Sequence, residues 1–157
     1  PSTWSEWKHP ESHSTLYFDV NTGRTSKGSL VIDCCSAPIY TSFACFYKQI
    51  PVNSAKTYKA SCWIKTENVS KDAVPRIELS WLNDKGEPAD WRWRPAYSLY
   101  YQLNEIQSGQ WQEIKVYFKA PPISGPKLVL QLGVENSFQG KVWFDDVALH
   151  EVCPAGE

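Results

Sequence analysis

Apolar and polar residues alternate with a period of two along most of this chain, in short runs separated by turn-forming residues. Ser29–Cys34 alternates after the Thr22-Gly23 and Lys27-Gly28 turns. Thr41–Val52 sets Phe43, Cys45, Tyr47 and Gln49 on one face, with Ala44, Phe46, Lys48 and Ile50 on the other. In Thr57–Lys65, Tyr58, Ala60, Cys62 and Ile64 oppose Lys59, Ser61, Trp63 and Lys65. The aliphatic side is expected to fill a core, which leaves Trp63 on an open or half-open face.

Arg76–Trp81 follows the same logic, with Ile77, Leu79 and Trp81 opposite Arg76, Glu78 and Ser80. After the Asn83-Asp84-Lys85-Gly86 turn, Glu87–Pro95 is irregular and carries Trp91 and Trp93 between prolines. Ala96–Leu103 and Trp111–Lys119 read as strands, the latter closed by Pro121-Pro122. Lys127–Glu135 alternates Leu128, Leu130, Leu132 and Val134 with Val129, Gln131, Gly133 and Glu135, and Lys141–His150 ends the pattern. About nine short strands without helical periodicity predict an all-β fold, a two-sheet antiparallel sandwich of jelly-roll type.

Composition narrows the class. With 157 residues, 42% hydrophobic and 21% charged, the chain can bury a core and is not of disordered composition. A formal net charge of −1 and scattered Lys and Arg give no footprint for a nucleic-acid backbone. No apolar run approaches membrane-spanning length, so no membrane partner is expected. The start at Pro1 and the end at Ala155-Gly156-Glu157 read as cut edges, so a single module of a larger protein is expected. Of the 5 cysteines, Cys34 or Cys35 could face Cys45 across a hairpin, and Cys62 reads as a small buried hydrophobe.

Aromatic residues crowd one stretch: Trp63, Trp81, Trp91, Trp93, Tyr97, Tyr100 and Tyr101. Flat rings with polar edges suit a partner that is half apolar and half hydrogen-bonding, and a sugar ring has that character. Trp81, Trp111 and Trp143 sit among core-type partners and read as structural. Neither a G-x-S-x-G elbow, a phosphate-binding loop nor an H-E-x-x-H helix occurs. Asp145 and Asp146 are adjacent on a strand, so they should point to opposite faces and cannot form the separated carboxylate pair of a glycosidase. His9 and His13 flank Pro10 in what reads as an exposed loop, and Asn68-Val69-Ser70 is a glycosylation sequon.

Four stretches in order carry a family resemblance. They are Gly28–Ile32, Tyr58–Lys65, Gly109-Gln110-Trp111 with Phe118–Pro121, and Gly140–Leu149. Over nearly the whole chain they resemble the carbohydrate-binding modules of families 4, 9, 16 and 22, β-jelly rolls that hold an appended enzyme on its polysaccharide. The resemblance implies a secreted or cell-surface, non-catalytic, monomeric module attached to another domain, with a polysaccharide or oligosaccharide as partner. It also implies a ligand cleft on the concave sheet or, as in related modules, a site at the loop edges. Combined with strand alternation, that orientation gives a cleft-facing set of Trp63, Arg76, Glu78, Gln131 and Glu135, with Trp91, Trp93 and Tyr97 clamping from the side.

A structural calcium tying the N-terminal region to the last strand is implied as well. Its ligands would be Asp146, backbone carbonyls of the Lys27–Ser29 turn, and Glu6 or Asp19, all hard oxygen donors. The chain departs from the family at its opening, where Trp4-Ser5-Glu6-Trp7 replaces the usual Asn-Gly and Phe-Glu pair. Two rival functions share the fold: a protein-docking or structural jelly roll, and a small polysaccharide lyase or hydrolase.

Overall fold

A computed structural model describes residues 3–34, 43–89, 98–135 and 139–153, with the side chains of 98–100 left aside. Within them the chain forms strands β1 (Ser5–Lys8), β2 (Thr15–Asp19), β3 (Ser29–Cys34), β4 (Ala44–Pro51) and β5 (Thr57–Glu67). These are followed by β6 (Val74–Leu82), β7 (Ser98–Gln102), β8 (Gln112–Lys119), β9 (Lys127–Glu135) and β10 (Gly140–Val152). Two 5-stranded antiparallel sheets result: sheet A in the order β1-β4-β9-β6-β7, and sheet B in the order β2-β3-β10-β5-β8. The fold is a β-sandwich of jelly-roll type.

Period-two alternation explains the core. Phe46, Ile77, Leu79, Trp81, Leu128, Leu130 and Leu132 of sheet A meet Ile32, Cys62, Ile64, Val116, Phe118 and Phe144 of sheet B. Trp81 and Phe118 touch across the layers at 5.6 Å between ring centroids. Each large side chain removed from water in this way contributes about 1.5–3 kcal/mol. The same alternation sends Arg76, Glu78, Tyr47 and Gln131 out of the opposite face of sheet A.

The pattern in the sequence missed β1 and β2, which are short and lie on sheet edges, where one face has little to bury. Of the two alternatives for Cys45, Cys34 does not face it across a hairpin. The two residues lie in different sheets; Cys34 joins the core, whereas Cys45 sits on the outward face of sheet A. Cys35 lies outside the described residues. Cys62 is fully buried, and that burial pushes its thiol pKa well up.

A second difference is local. Between Asp145 and Ala148 the β5–β10 register shifts, and Asp146 takes a φ of 48°. A bulge of this kind re-aims side chains that would otherwise alternate. Asp145 and Asp146 therefore both reach the loop between β2 and β3, rather than pointing to opposite faces.

Candidate functional site

The outward face of sheet A holds a groove of about 790 Å³. Its floor is set by register. Trp7, Cys45, Gly133 and Arg76 form one row across β1, β4, β9 and β6, and Tyr47, Gln131 and Glu78 form the next. Gln49, Val129 and Leu82 extend the lining to one side, and Phe43 and Glu135 to the other.

Aromatic rings stand at one end. Trp7, 47% exposed, packs against Phe43 with centroids 5.4 Å apart. Gly133 makes room beneath them, since a Cβ there would lie 3.0 Å from the Ala44 carbonyl oxygen and 3.4 Å from the Phe43 ring. Contacts this close would force the floor to shift.

Charge is paired within the floor. One terminal nitrogen of Arg76 donates to Glu78 at 3.1 Å and also meets the Glu135 carboxylate. The side chains of Arg76 and Glu78 are only 16% and 14% exposed. Salt therefore screens the cluster poorly, and it fixes two acceptor groups in the groove. Burial, with the Glu78 charge adding to it, pushes the neighbouring Cys45 thiol up to about 12. That cysteine is therefore an inert thiol at neutral pH.

Four of the residues named from the sequence, Arg76, Glu78, Gln131 and Glu135, do come together here. Trp63 does not join them. It lies on β5 in sheet B and faces out of the opposite side of the sandwich, opposite Asp145 and Glu113 in the ladder. Its ring is covered by the Arg24 guanidinium, whose carbon sits 4.0 Å from the ring centroid. Alternation gave its face correctly as outward but could not assign its sheet. Trp91, Trp93 and Tyr97 lie outside the described residues.

Trp7, Phe43, Tyr47 and Gln49 were missed as groove residues. Phe43, Cys45, Tyr47 and Gln49 share one face in the alternation, and the polar tips of Tyr47 and Gln49 are the signal that identifies it as the outward one. Trp7 had no such signal, because β1 is short and fully exposed.

Of the residues expected at a metal, Glu6 stands apart and the side chains of Asp19, Ser29 and Asp146 are engaged by other protein groups. Glu6 is exposed on β1, in sheet A. One oxygen of Asp19 accepts from the Asn21 and Thr22 amides, and the other from Trp143 Nε1 at 3.3 Å. The Asn21 amide bond, the largest of the influences on it, holds the Asp19 pKa below its ordinary value. Ser29 donates its hydroxyl to the Thr22 carbonyl, Lys27 is exposed, and Asp146 is bonded to Arg24 and Thr25. Among the described residues no group of three or more His, Cys, Asp or Glu is arranged to hold a metal ion. The Asp19 and Asp146 carboxylates are thus committed to protein donors and Glu6 lies in the other sheet, while Gly28, Ser29, Asp145 and Asp146 line one cavity of about 370 Å³.

Comparison with protein-family models gives no match, and no curated protein sequence matches. Solved structures do match. The enzymatically active domain of bacteriophage CBA120 tailspike protein 4 superposes at a TM-score of 0.69 with 16% identity over 96% of this chain, which spans 20% of the tailspike chain. A family 16 carbohydrate-binding module superposes at 0.60 with 15% identity, covering 94% of this chain and 90% of that one. The Clostridium thermocellum N-terminal xylanase 10B, a family 22 module joined to a GH10 module and complexed with xylohexaose, superposes at 0.61 with 16% identity. There the match covers 94% of this chain and 26% of the xylanase. Modules of families 4 and 61 superpose at 0.57. The chain thus has the β-sandwich fold found in carbohydrate-binding modules of families 4, 16, 22 and 61.

Proposed function

We propose that the groove of sheet A binds a neutral polysaccharide or oligosaccharide chain without cleaving it. The observation that carries this reading is the adjacency of the Trp7–Phe43 ring pair to a floor row of Tyr47, Gln131 and Glu78. Rings offer C–H stacking surface, and the row beside them offers acceptors and donors for hydroxyl groups. Arg76 spends its charge on Glu78 and Glu135, so an anionic chain would meet no uncommitted guanidinium there and would face the surplus carboxylate. The solved carbohydrate-binding modules of the same fold support the reading. By the same reading the module holds a neighbouring catalytic domain on its substrate, a reading supported by a solved chain of the same fold in which a family 22 module is joined to a GH10 module.

Binding of this kind is reversible and nearly insensitive to salt, because neutral hydroxyls supply the partners. Affinity electrophoresis through soluble neutral and uronate polysaccharides tests it. Retardation by at least one neutral polymer, and none by polyuronates, is the expected result. Folded protein that migrates unchanged on every polymer would count against the reading. New reducing ends in the incubated polymer would favour the rival, glycan-cleaving one.

A further inference from the structure

The second charged constellation of the molecule lies on the other sheet, where the loop between β2 and β3 folds over the bulge of β10. The loop is shaped locally. Asp19 Oδ1 accepts from the amides of Asn21 and Thr22, and the Thr22 carbonyl accepts from Gly28 N at 3.2 Å and Ser29 Oγ at 2.8 Å. Gly28 has a φ of 120° and lies against the Phe18 ring, so a side chain at this position is excluded twice over. Held this way, the loop presents Arg24 and Thr25 to the carboxylates of the bulge.

Arg24 makes three different attachments. Its backbone N–H donates to Asp145 Oδ2 at 2.7 Å, its Nε donates to Asp146 Oδ2 at 2.7 Å, and its guanidinium covers the Trp63 ring at 4.0 Å. Thr25 Oγ1 adds a bond to Asp146 Oδ1 at 3.0 Å. Asp145 Oδ1 meanwhile accepts the Asp146 amide at 2.8 Å, which fixes the bulge itself. The four carboxylate oxygens of the pair are thus all engaged.

A divalent ion at this junction would compete for those oxygens and would sit beside an always-charged guanidinium. Planarity lets the guanidinium bond a carboxylate and stack on an indole at once, which neither a lysine nor a spherical ion can do. We propose that Arg24 is the cation of this junction: it does the tying that the family resemblance assigns to calcium, and the stability of the chain does not draw on a divalent ion. The proposal is independent of whether the groove binds glycan.

Thermal melting of the full chain, after exhaustive chelation and again in millimolar calcium chloride, tests it directly. The unaltered chain should melt at the same temperature in both. R24A should melt lower by about 2–4 °C, the shift that 1 kcal/mol produces in a chain of this size. R24K should recover only part of that loss, because it keeps the charge but not the planar contact with Trp63. The double variant R24A/D146N should fall little further than R24A, since the two residues share one interaction. An unaltered chain that melts higher in calcium than in chelator would overturn the proposal, with no variant needed. Additive losses from R24A and D146N would overturn it as well.

Discussion

The outward face of sheet A and the outward face of sheet B carry similar residues to opposite ends. Both combine indole rings, carboxylates and an arginine. On sheet A the arginine lies in the floor and is tied sideways to Glu78 and Glu135, leaving Trp7 47% exposed at the rim. On sheet B the arginine lies on top: Arg24 covers Trp63. Trp143, only 5% exposed, sits with Lys65 and Lys141 at 5.1 and 5.5 Å from its ring while its Nε1–H is given to Asp19. One face keeps a concavity beside a half-exposed indole; the other has covered its two indoles, Trp63 and Trp143, and leaves only the phenol of Tyr117 and the ring of Phe18 exposed among its described large aromatics. What covers an indole, rather than its presence, separates a binding surface from a brace.

The largest effect expected from this contrast is on stability. R76M removes the positive charge between Glu78 and Glu135, leaving the poorly solvated Glu78 carboxylate facing a partly exposed one. Urea unfolding should show a loss of about 2–4 kcal/mol, near the lower part of the range for breaking a buried pair because Glu135 is partly exposed. A loss below a few tenths of a kcal/mol would mean that the cluster is solvated and the floor is soft.

Next in size is the contrast in binding. W7A should weaken glycan retention by about tenfold or more, on the scale of 1–3 kcal/mol measured for bases stacked on aromatic side chains. W63A should leave retention unchanged and lower the melting temperature instead, because it removes the platform of Arg24. The reverse outcome, with W63A abolishing retention and W7A leaving it intact, would exchange the roles of the two faces.

The smallest effect concerns acid. The Asp19 pKa is held below its ordinary value of 3.8, so its contribution to stability is complete above that value and lost as pH falls through the lower folded value. D19N should therefore melt slightly below the unaltered chain at neutral pH, and the gap should close in strong acid. A gap that persists or widens in acid would show that Asp19 acts through packing rather than charge.

Much of this was legible in the sequence, and the limits are physical. Alternation in β5, β6, β8 and β9 separates core from surface because each strand has one face against the opposite sheet. That is a local rule, and it placed Leu128 to Val134 and Ile77 to Trp81 correctly. It also put Arg76, Glu78, Gln131 and Glu135 on outward faces that share one groove. It failed at β1, whose four exposed residues carry no contrast, and so Trp7 escaped notice. At Asp145 and Asp146 it failed for a different reason, since a bulge interrupts the period that the argument depends on.

The sequence by itself determined which side chains face inward and which face solvent, because burial imprints its period on neighbouring residues. Only the tertiary structure decided which outward faces belong to the same sheet, since β5 and β6 adjoin in sequence yet lie in opposite layers. That choice rests on hydrogen-bond pairing between strands far apart in the chain. Such pairing leaves no local mark, and it separates Trp63 from the groove and brings Arg24 over the Trp63 ring instead.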